Sequence, residues 1–176
     1  MTAKSDYLYV KKLYEEHADP ETAVPMAHYM RDQFQYYGLK SPIRRELVRE
    51  FLKEKNKQDL DWAFVDLCFQ DDYRELQYVA CDYLTRKAKK LQAGDLGKIK
   101  KLVQTKSWWD TVDSLVKLVG KIFLMILSMD GKPGSPPILM GGWIGLAVLF
   151  CIIDLIIDVS FHGVLRHVSN GSDIVA

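Results

Sequence analysis

Short apolar stretches with helical spacing follow one another along the first 124 residues, and this repetition limits the possible fold more than any other feature of the sequence. In 5–17 and in 73–91, apolar residues recur three and four positions apart, as on the buried side of an amphipathic helix. No stretch alternates apolar and polar residues as a half-buried strand would. Prolines and glycines separate the stretches: Pro20, Pro25, Gly38 and Gly94. The sequence therefore predicts an all-α fold.

The predicted helices are short, and short loops join them. A second helix is expected over 26–36 and is expected to end at Gly38, since glycine readily adopts the positive φ found just past a helix end. Pairs of such helices typically stack into an α-solenoid, in which each pair buries its apolar side against the next. A compact helical bundle is the alternative architecture.

Polar residues that favour helix N-termini support this assignment. Ser41 is followed by a proline and is expected to be an N-cap with proline in the first turn. Either Asp59 or Asp61 is expected to begin a later helix. Ser107 and Asp110 have the spacing of a capping box and are expected to begin the last one.

Charge is divided unevenly along the chain. Residues 1–124 contain 22 of the 24 Lys and Arg residues and 19 of the 23 Asp and Glu residues, whereas 133–153 contains no charged residue. We therefore divide the chain into a helical domain, 1–124, and an atypical apolar tail, 125–176. The overall net charge of +1 excludes a uniformly basic protein that coats nucleic acid.

The cysteines and the N-terminal residues narrow the class of protein further. Cys68, Cys81 and Cys151 lack the CxxC spacing of zinc ribbons, and three cysteines cannot form a fully paired framework. We therefore expect no disulfide scaffold and no bound metal. The first residues carry no apolar signal-peptide core, so we expect a cytoplasmic protein.

The segment after Ser107 contains the residue types best suited to chemistry. Trp109 and Asp113 are four positions apart and therefore lie on the same side of a helix. The helix dipole explains the acid at Asp110 but not the one at Asp113, which lies past the first turn. Two interpretations are open. Either Trp108 and Trp109 belong to the core beside a solvated acid, or an aromatic wall lies beside an anion that stabilises a transient cation.

A basic cluster is the second candidate site. Lys40, Arg44 and Arg45 accompany a tight turn and a helix N-terminus within 36–45. Free backbone N–H groups at a helix N-terminus bind phosphate, and lysine and arginine add positive charge. A solvated basic loop with ordinary capping is the alternative interpretation. A third basic run, at 86–90, is explained by the preference of cations for helix C-termini.

Three separated strings of the sequence carry a family resemblance. They are 30–45 (MRDQFQYYGLKSPIRR), 74–84 (RELQYVACDYL) and, most specifically, 107–113 (SWWDTVD). Together they resemble the motifs of the DNA alkylation-repair glycosylases, the AlkD-like family, in the same order. The resemblance covers about residues 5–124. It implies a right-handed solenoid of HEAT-like helical repeats whose concave face holds duplex DNA.

The resemblance also implies an activity, the removal of alkylated purines by cleavage of the N-glycosidic bond. Trp109 and Asp113 match the catalytic pair of the family. A purine alkylated at N3 or N7 is cationic and leaves without being protonated, so the protein has to stabilise the oxocarbenium-like sugar. A carboxylate does this electrostatically, and an aromatic ring can lie against the cationic base. The expected DNA contacts are Lys40, Arg44, Arg45 and Trp108. We expect no cofactor, a monomer, and alkylated duplex DNA as the partner.

The last third of the chain departs from the family. The resemblance stops near Leu124, where family members continue with further amphipathic hairpins that complete the DNA cleft. A reading-frame shift explains this, because the shifted codons permit a soluble sequence that contains tryptophan and acids. The alternative is a membrane span at 133–153, which is long enough to cross a bilayer but is weakened by Gly141, Gly142 and Gly145. We therefore expect no membrane contact.

Three functions remain open at this point. The preferred one is a DNA glycosylase for alkylated bases, impaired by the loss of the C-terminal repeats. The second is a non-enzymatic helical-repeat module that binds nucleic acid or protein. The third is a helical domain with a C-terminal membrane anchor.

Overall fold

The computed structural model describes the backbone of residues 2–129 and the side chains of residues 2–122. This part of the chain forms eight α-helices: α1 (Ala3–Glu16), α2 (Pro20–Tyr29), α3 (Ser41–Leu47), α4 (Arg49–Lys57), α5 (Trp62–Gln70), α6 (Arg74–Arg86), α7 (Leu96–Gln104) and α8 (Trp109–Met129). Two 3₁₀ turns, Ala88–Lys90 and Ala93–Asp95, lie between α6 and α7. An isolated β-bridge joins Gln35 to Tyr73, and no strand forms in the described range. The prediction of an all-α, helical-repeat fold is confirmed.

Predictions about the tail concern a region outside this range. The frame-shift hypothesis and the apolar segment 133–153 lie outside the described residues, and the boundary at residue 124 falls inside α8 and stays a prediction. Among the described helices, none is both long and apolar enough to cross a bilayer. The described helices belong to two compact units, one from Met1 to Lys90 and one that begins at Leu91.

The core of the first unit is built around α5. This helix packs against both α1 and α6. Its inner side buries Phe64, Val65, Cys68 and Phe69, while α1 buries Val10 and Tyr14 and α6 buries Leu76, Val79, Ala80 and Leu84. Removing these apolar side chains from water drives the packing of the three helices. Asp61 begins α5 and accepts a hydrogen bond from the backbone N–H of Phe64 at 3.0 Å, which confirms one of the two predicted caps.

A buried lysine connects three helices of the first unit. The ammonium group of Lys55 on α4 donates to Asp6 on α1 at 2.6 Å and to Asp61 before α5 at 2.8 Å. Burial by itself lowers the pKa of Lys55, but the two carboxylates outweigh this effect and raise that pKa. The charge is therefore retained in the interior, where an uncompensated ammonium would be costly.

The second unit contains the helical pair α7 and α8. These helices pack against each other through apolar residues at helical spacing: Ile99, Leu102 and Val103 on α7, and Val112, Leu115, Leu118 and Ile122 on α8. The loop that joins them is short, from Thr105 to Trp108. The α8 residues Trp109 and Asp113 lie outside this apolar stripe, so the hairpin holds α8 while leaving their side chains in solvent.

The second helix does not lie where the sequence predicted. The prediction of 26–36 is wrong, because α2 begins at Pro20 and ends at Tyr29, with Pro25 inside it. Asp19 caps the helix by accepting from the N–H groups at the first turn, and a proline at the first helical position loses nothing. Pro25 costs one backbone hydrogen bond early in the helix, which that cap offsets.

Two predicted N-caps are also wrong. Ser41 is the first residue of α3, its N-cap is Lys40, and no side chain caps that helix. Before α8, the hydroxyl of Ser107 is buried without a hydrogen-bond partner, so the capping box with Asp110 does not form. Instead, Asp110 accepts from the adjacent N–H of Thr111 at 2.8 Å.

Candidate functional site

Trp109 and Asp113 lie on the first two turns of α8 with their side chains in solvent. Trp109 is 51% exposed, which is unusual for so large an apolar side chain, and Asp113 is also exposed. Their spacing of four positions places both on one side of the helix. The interpretation in which Trp109 is a core residue is therefore wrong, and the side of α8 that carries it presents an aromatic ring beside a carboxylate.

The turn that precedes α8 fixes this presentation. Lys106 has a φ of 47°, in the left-handed region that non-glycine residues rarely adopt. Trp108 is half-buried, and its carbonyl accepts from the N–H of Val112 at 3.1 Å and from the hydroxyl of Thr111 at 3.3 Å. Thr111 is itself buried. Trp108 therefore anchors the first turn of α8, and the adjacent Trp109 is held at the surface.

Asp113 forms no ion pair and no hydrogen bond with any residue in the described range. A cation from solution can therefore reach this exposed carboxylate. Beside it, the face of the Trp109 indole attracts cations through its π-electron quadrupole. The two groups together suit a ligand that carries or develops positive charge.

The second candidate cluster is organised by a buried acid on α6. Glu75 is fully buried, and its Oε1 accepts from the backbone N–H groups of Gly38 at 3.0 Å and Leu39 at 3.2 Å. Burial raises the pKa of Glu75 although these hydrogen bonds lower it. Gly38 has a φ of 88°, and a Cβ there would lie 2.0 Å from the carbonyl oxygen of Asp19. Gly38 is therefore required by a close backbone approach rather than by the end of α2.

The three basic residues of this cluster have different environments. Lys40 and Arg45 are exposed, whereas Arg44 is 3% exposed and donates to Asp82 at 2.8 Å. The guanidinium of Arg44 also lies 5.1 Å from the ring centroid of Tyr78. A phosphate in solution can be met by Lys40 and Arg45 but not by Arg44. The buried Arg44 is therefore not placed to contact DNA directly, contrary to the expectation from the sequence, and lies in the interior next to the exposed Arg45.

The third basic run is divided in the same way. Lys87 is buried, and its ammonium donates to the carbonyl oxygens of Asn56 and Gln58 at the end of α4. Lys90 donates to the Gln58 carbonyl at 3.0 Å. These cations satisfy carbonyls that the helix end leaves unpaired. Lys87 and Lys90 therefore have a structural role, but at the end of α4 rather than at the end of their own helix, α6, where the sequence placed it.

Several residues of these sites escaped the sequence analysis. Asp82 accepts a hydrogen bond from Arg44 and forms an ion pair with Arg45, and Glu75 holds the segment before Lys40. A sequence signal for them exists, because Glu75 and Asp82 are seven positions apart and share one side of α6. In the part of the chain that the structure describes, no group of three His, Cys, Asp or Glu residues is arranged to hold a metal ion.

A cavity of about 300 Å³ lies in the first unit. Its lining includes Tyr7, Lys11 and Asp71, and Asp71 accepts from Tyr7 at 2.5 Å and from Lys11 at 2.7 Å. Burial by itself raises the pKa of Asp71, but these two donors outweigh burial and lower it. The polar groups of the cavity therefore already satisfy one another.

Comparison with known proteins identifies the family. A family model described as DNA alkylation repair enzyme matches residues 10–129. A similar solved structure is that of a predicted DNA alkylation repair enzyme from Enterococcus faecalis, 31% identical, with a TM-score of 0.59, over 63% of this chain and 53% of that one. This chain thus spans about half the length of that relative, and no curated protein matches it. Because the family match covers more than half of the chain, the protein belongs to the DNA alkylation repair enzyme family.

Proposed function

We propose that the protein is a DNA glycosylase that excises cationic, N3- or N7-alkylated purines from duplex DNA by hydrolysis of the N-glycosidic bond. The observation that carries this proposal is the exposed pair on α8, Trp109 and Asp113, where a half-exposed tryptophan accompanies an acid without an ion pair in the described range. The family match over residues 10–129 includes both of them.

In this proposal Asp113 acts on the sugar. Departure of an alkylated purine needs no general acid, because the base already carries positive charge. As the glycosidic bond lengthens, positive charge develops on the sugar ring. The carboxylate of Asp113 stabilises that charge and orients the water that attacks the anomeric carbon. Water supplies the hydroxyl group of the new sugar end and releases its other proton to solvent, and the base leaves with the electron pair of the glycosidic bond as the neutral alkylpurine.

Trp109 positions the cationic nucleotide. Its exposed indole face attracts the alkylated base or the developing sugar cation, and the ring excludes water from one side. Trp108 contacts DNA through the part of its side chain that stays exposed, while its backbone anchors α8. This division of roles follows from the difference in exposure between the two tryptophans.

Lys40 and Arg45 contact the phosphate backbone. Both side chains are exposed, and phosphate contacts of this kind supply affinity without sequence preference. Arg44 supports Arg45 from the interior. We expect slow excision, because the family resemblance stops near residue 129 and accurate positioning of the duplex supplies a large share of the rate.

The test is a single-turnover assay with the 176-residue protein in excess over a duplex that contains one 7-methylguanine. Release of the free base is measured by chromatography. Asp113→Asn should lower the rate by about 10²- to 10³-fold while the fold is kept. Asp110→Asn is the matched control, because it makes the same change on the same helix, and it should excise at the wild-type rate.

Two results would count against the proposal. Absence of base release by the wild-type protein, with DNA binding retained, would favour a non-enzymatic binding module. Normal excision by Asp113→Asn would remove Asp113 from the catalytic role.

A further inference from the structure

We propose that Asp82 on α6 is a positioning residue for DNA binding, which holds the guanidinium of Arg45 ready for a phosphate. The inference rests on the proposed function, since it concerns how the basic cluster meets the DNA backbone. Its basis is one shared atom. The Oδ2 of Asp82 lies 2.8 Å from Nη1 of Arg44 and 3.6 Å from Nε of Arg45.

Arg44 is the fixed member of this group. Its side chain is 4% exposed, and its guanidinium lies over the ring of Tyr78. Its backbone carbonyl accepts from the hydroxyl of Tyr14, a fully buried residue, at 3.0 Å. Arg44 therefore holds Asp82 from the interior side, and the carboxylate has a defined position.

Arg45 is the exposed member of this group, with 64% of its side chain in solvent. Because it meets Asp82 through Nε, its two terminal nitrogens form no ion pair or hydrogen bond within the described residues. Those two nitrogens can bind two phosphate oxygens at once in the end-on arrangement of a guanidinium. Asp82 thus holds the Arg45 side chain through Nε, which end-on binding of phosphate does not use.

The charges explain why a carboxylate is needed at this place. Two guanidinium groups next to one another repel, and a buried Arg44 cannot move away. Asp82 compensates the repulsion and keeps Arg45 near Arg44. Arg86, on the next turn of α6, is exposed and forms no ion pair in the described range. It lies on the same side of the helix as Asp82 and adds a further positive charge there.

If Asp82 positions Arg45, its removal should change the DNA affinity in the direction opposite to the one that charge alone predicts. DNA is an anion, so removal of an acid from a DNA-binding surface should tighten binding when the acid acts by charge alone. When Asp82 positions Arg45, its removal should weaken binding although the net charge becomes more positive. The two outcomes differ in direction, which makes the measurement decisive.

The experiment measures the affinity of the 176-residue protein for an unmodified duplex by fluorescence anisotropy over a series of salt concentrations. Asp82→Asn should weaken binding by about twofold to fivefold, in the range of one lost ion pair near the surface, and reduce the salt slope. Asp82→Glu should restore part of the affinity. Asp66→Asn makes the same change in net charge at an acid without an ion pair in the described range, and it should bind at least as tightly as the wild type.

A second pair of variants isolates Arg45. In an Arg45→Gln background, Asp82→Asn should no longer weaken binding, because the residue through which it acts is gone. Arg45→Lys keeps the charge but loses the paired donors, and it should weaken binding nearly as much as Arg45→Gln. The comparison of Arg45→Lys with Arg45→Gln leaves Arg44 and Asp82 intact, so it remains informative if Asp82→Asn fails to fold. Thermal melting of each variant shows whether it folds.

Three results would overturn this inference and leave the proposed function standing. They are tighter binding by Asp82→Asn, equal weakening by Asp82→Asn in the wild-type and Arg45→Gln backgrounds, and wild-type affinity in Arg45→Lys. Absence of any duplex binding by the wild-type protein would overturn it together with the proposed function.

Discussion

The carboxylate of Glu75, inside α6, accepts a hydrogen bond from the backbone N–H of Gly38 at 3.0 Å. The neighbouring N–H of Leu39 donates to the same oxygen at 3.2 Å. A single buried acid in the first turn of α6 therefore ties that helix to the segment that leads into α3. Lys40 follows directly, so the place of one proposed phosphate contact depends on an acid in the core of the first unit.

Replacement of Glu75 should test this tie. Glu75→Ala leaves two buried N–H groups without an acceptor and should lower the free energy of unfolding by about 3 kcal/mol. Glu75→Gln keeps one acceptor oxygen and removes a charge whose burial is unfavourable, so the loss should be nearer about 1 kcal/mol. Urea denaturation measures both. Glu50→Ala is the control on the exposed side of α4 and should change the stability by less than about 0.5 kcal/mol.

Gly38 itself should tolerate no side chain. Gly38→Ala combines a φ of 88° with a Cβ that would lie 2.0 Å from the Asp19 carbonyl oxygen. We expect a loss of at least about 2 kcal/mol in the free energy of unfolding. Gly97→Ala, inside α7 with no atom within 4 Å of the new Cβ, should instead stabilise the protein by about 0.5–1 kcal/mol. Equal effects of the two alanines in denaturant titrations would contradict the role of the close approach.

The fold was predictable from the sequence where local patterns decide the structure. The apolar stripes of α6 and α8 recur at helical spacing, and Asp61 caps α5 as one of the two predicted caps. At Pro25 the prediction failed, because the side chain of Asp19 caps the first turn of α2 and the helix continues through a proline that the prediction treated as a break. Sequence reasoning weighs each residue separately and misjudges such compensation.

The candidate site was predictable in its residue types but not in their environments. Spacing placed Trp109 and Asp113 on one side of a helix, yet only the structure shows that this side is exposed. Arg44 and Arg45 are adjacent in sequence and chemically identical, but one is buried against Asp82 and the other extends into solvent. That difference arises from contacts between α3 and α6, which are distant along the chain.

Acid should destabilise the first unit through Asp71. The pKa of its carboxyl is lowered from an ordinary value of 3.8, because the hydrogen bonds from Lys11 and Tyr7 outweigh burial. A carboxyl whose pKa is lower in the folded state stabilises the protein above its unfolded pKa, and this contribution disappears as the pH falls through the folded value. Asp71→Asn should therefore be less stable at neutral pH and lose less stability than the wild type between about pH 5 and pH 2.

Melting temperatures over that pH range measure the effect, and Lys11→Met provides the complementary variant. The hydrogen bond from Lys11 to Asp71 raises the pKa of Lys11 above 10.5, so the contribution of Lys11 should persist below that pH and decrease as the pH rises through the folded value. Parallel pH profiles for the wild type and Asp71→Asn would show that the cluster contributes nothing to the pH dependence.

Trp109 should matter for excision far more than for stability. Its side chain is 51% exposed, so Trp109→Ala should cost well below the 3–5 kcal/mol that is typical of a buried aromatic residue, about 1 kcal/mol. Excision of 7-methylguanine should nevertheless decrease, because the variant loses the aromatic face that attracts the cationic nucleotide. Trp109→Phe retains a ring with a weaker cation attraction and should give an intermediate rate.

Phe64→Ala is the contrasting variant, since Phe64 is fully buried and its loss should lower the melting temperature strongly. If Trp109→Ala instead unfolded like Phe64→Ala, or excised at the wild-type rate, the indole would be a packing residue and the aromatic half of the proposed site would be lost.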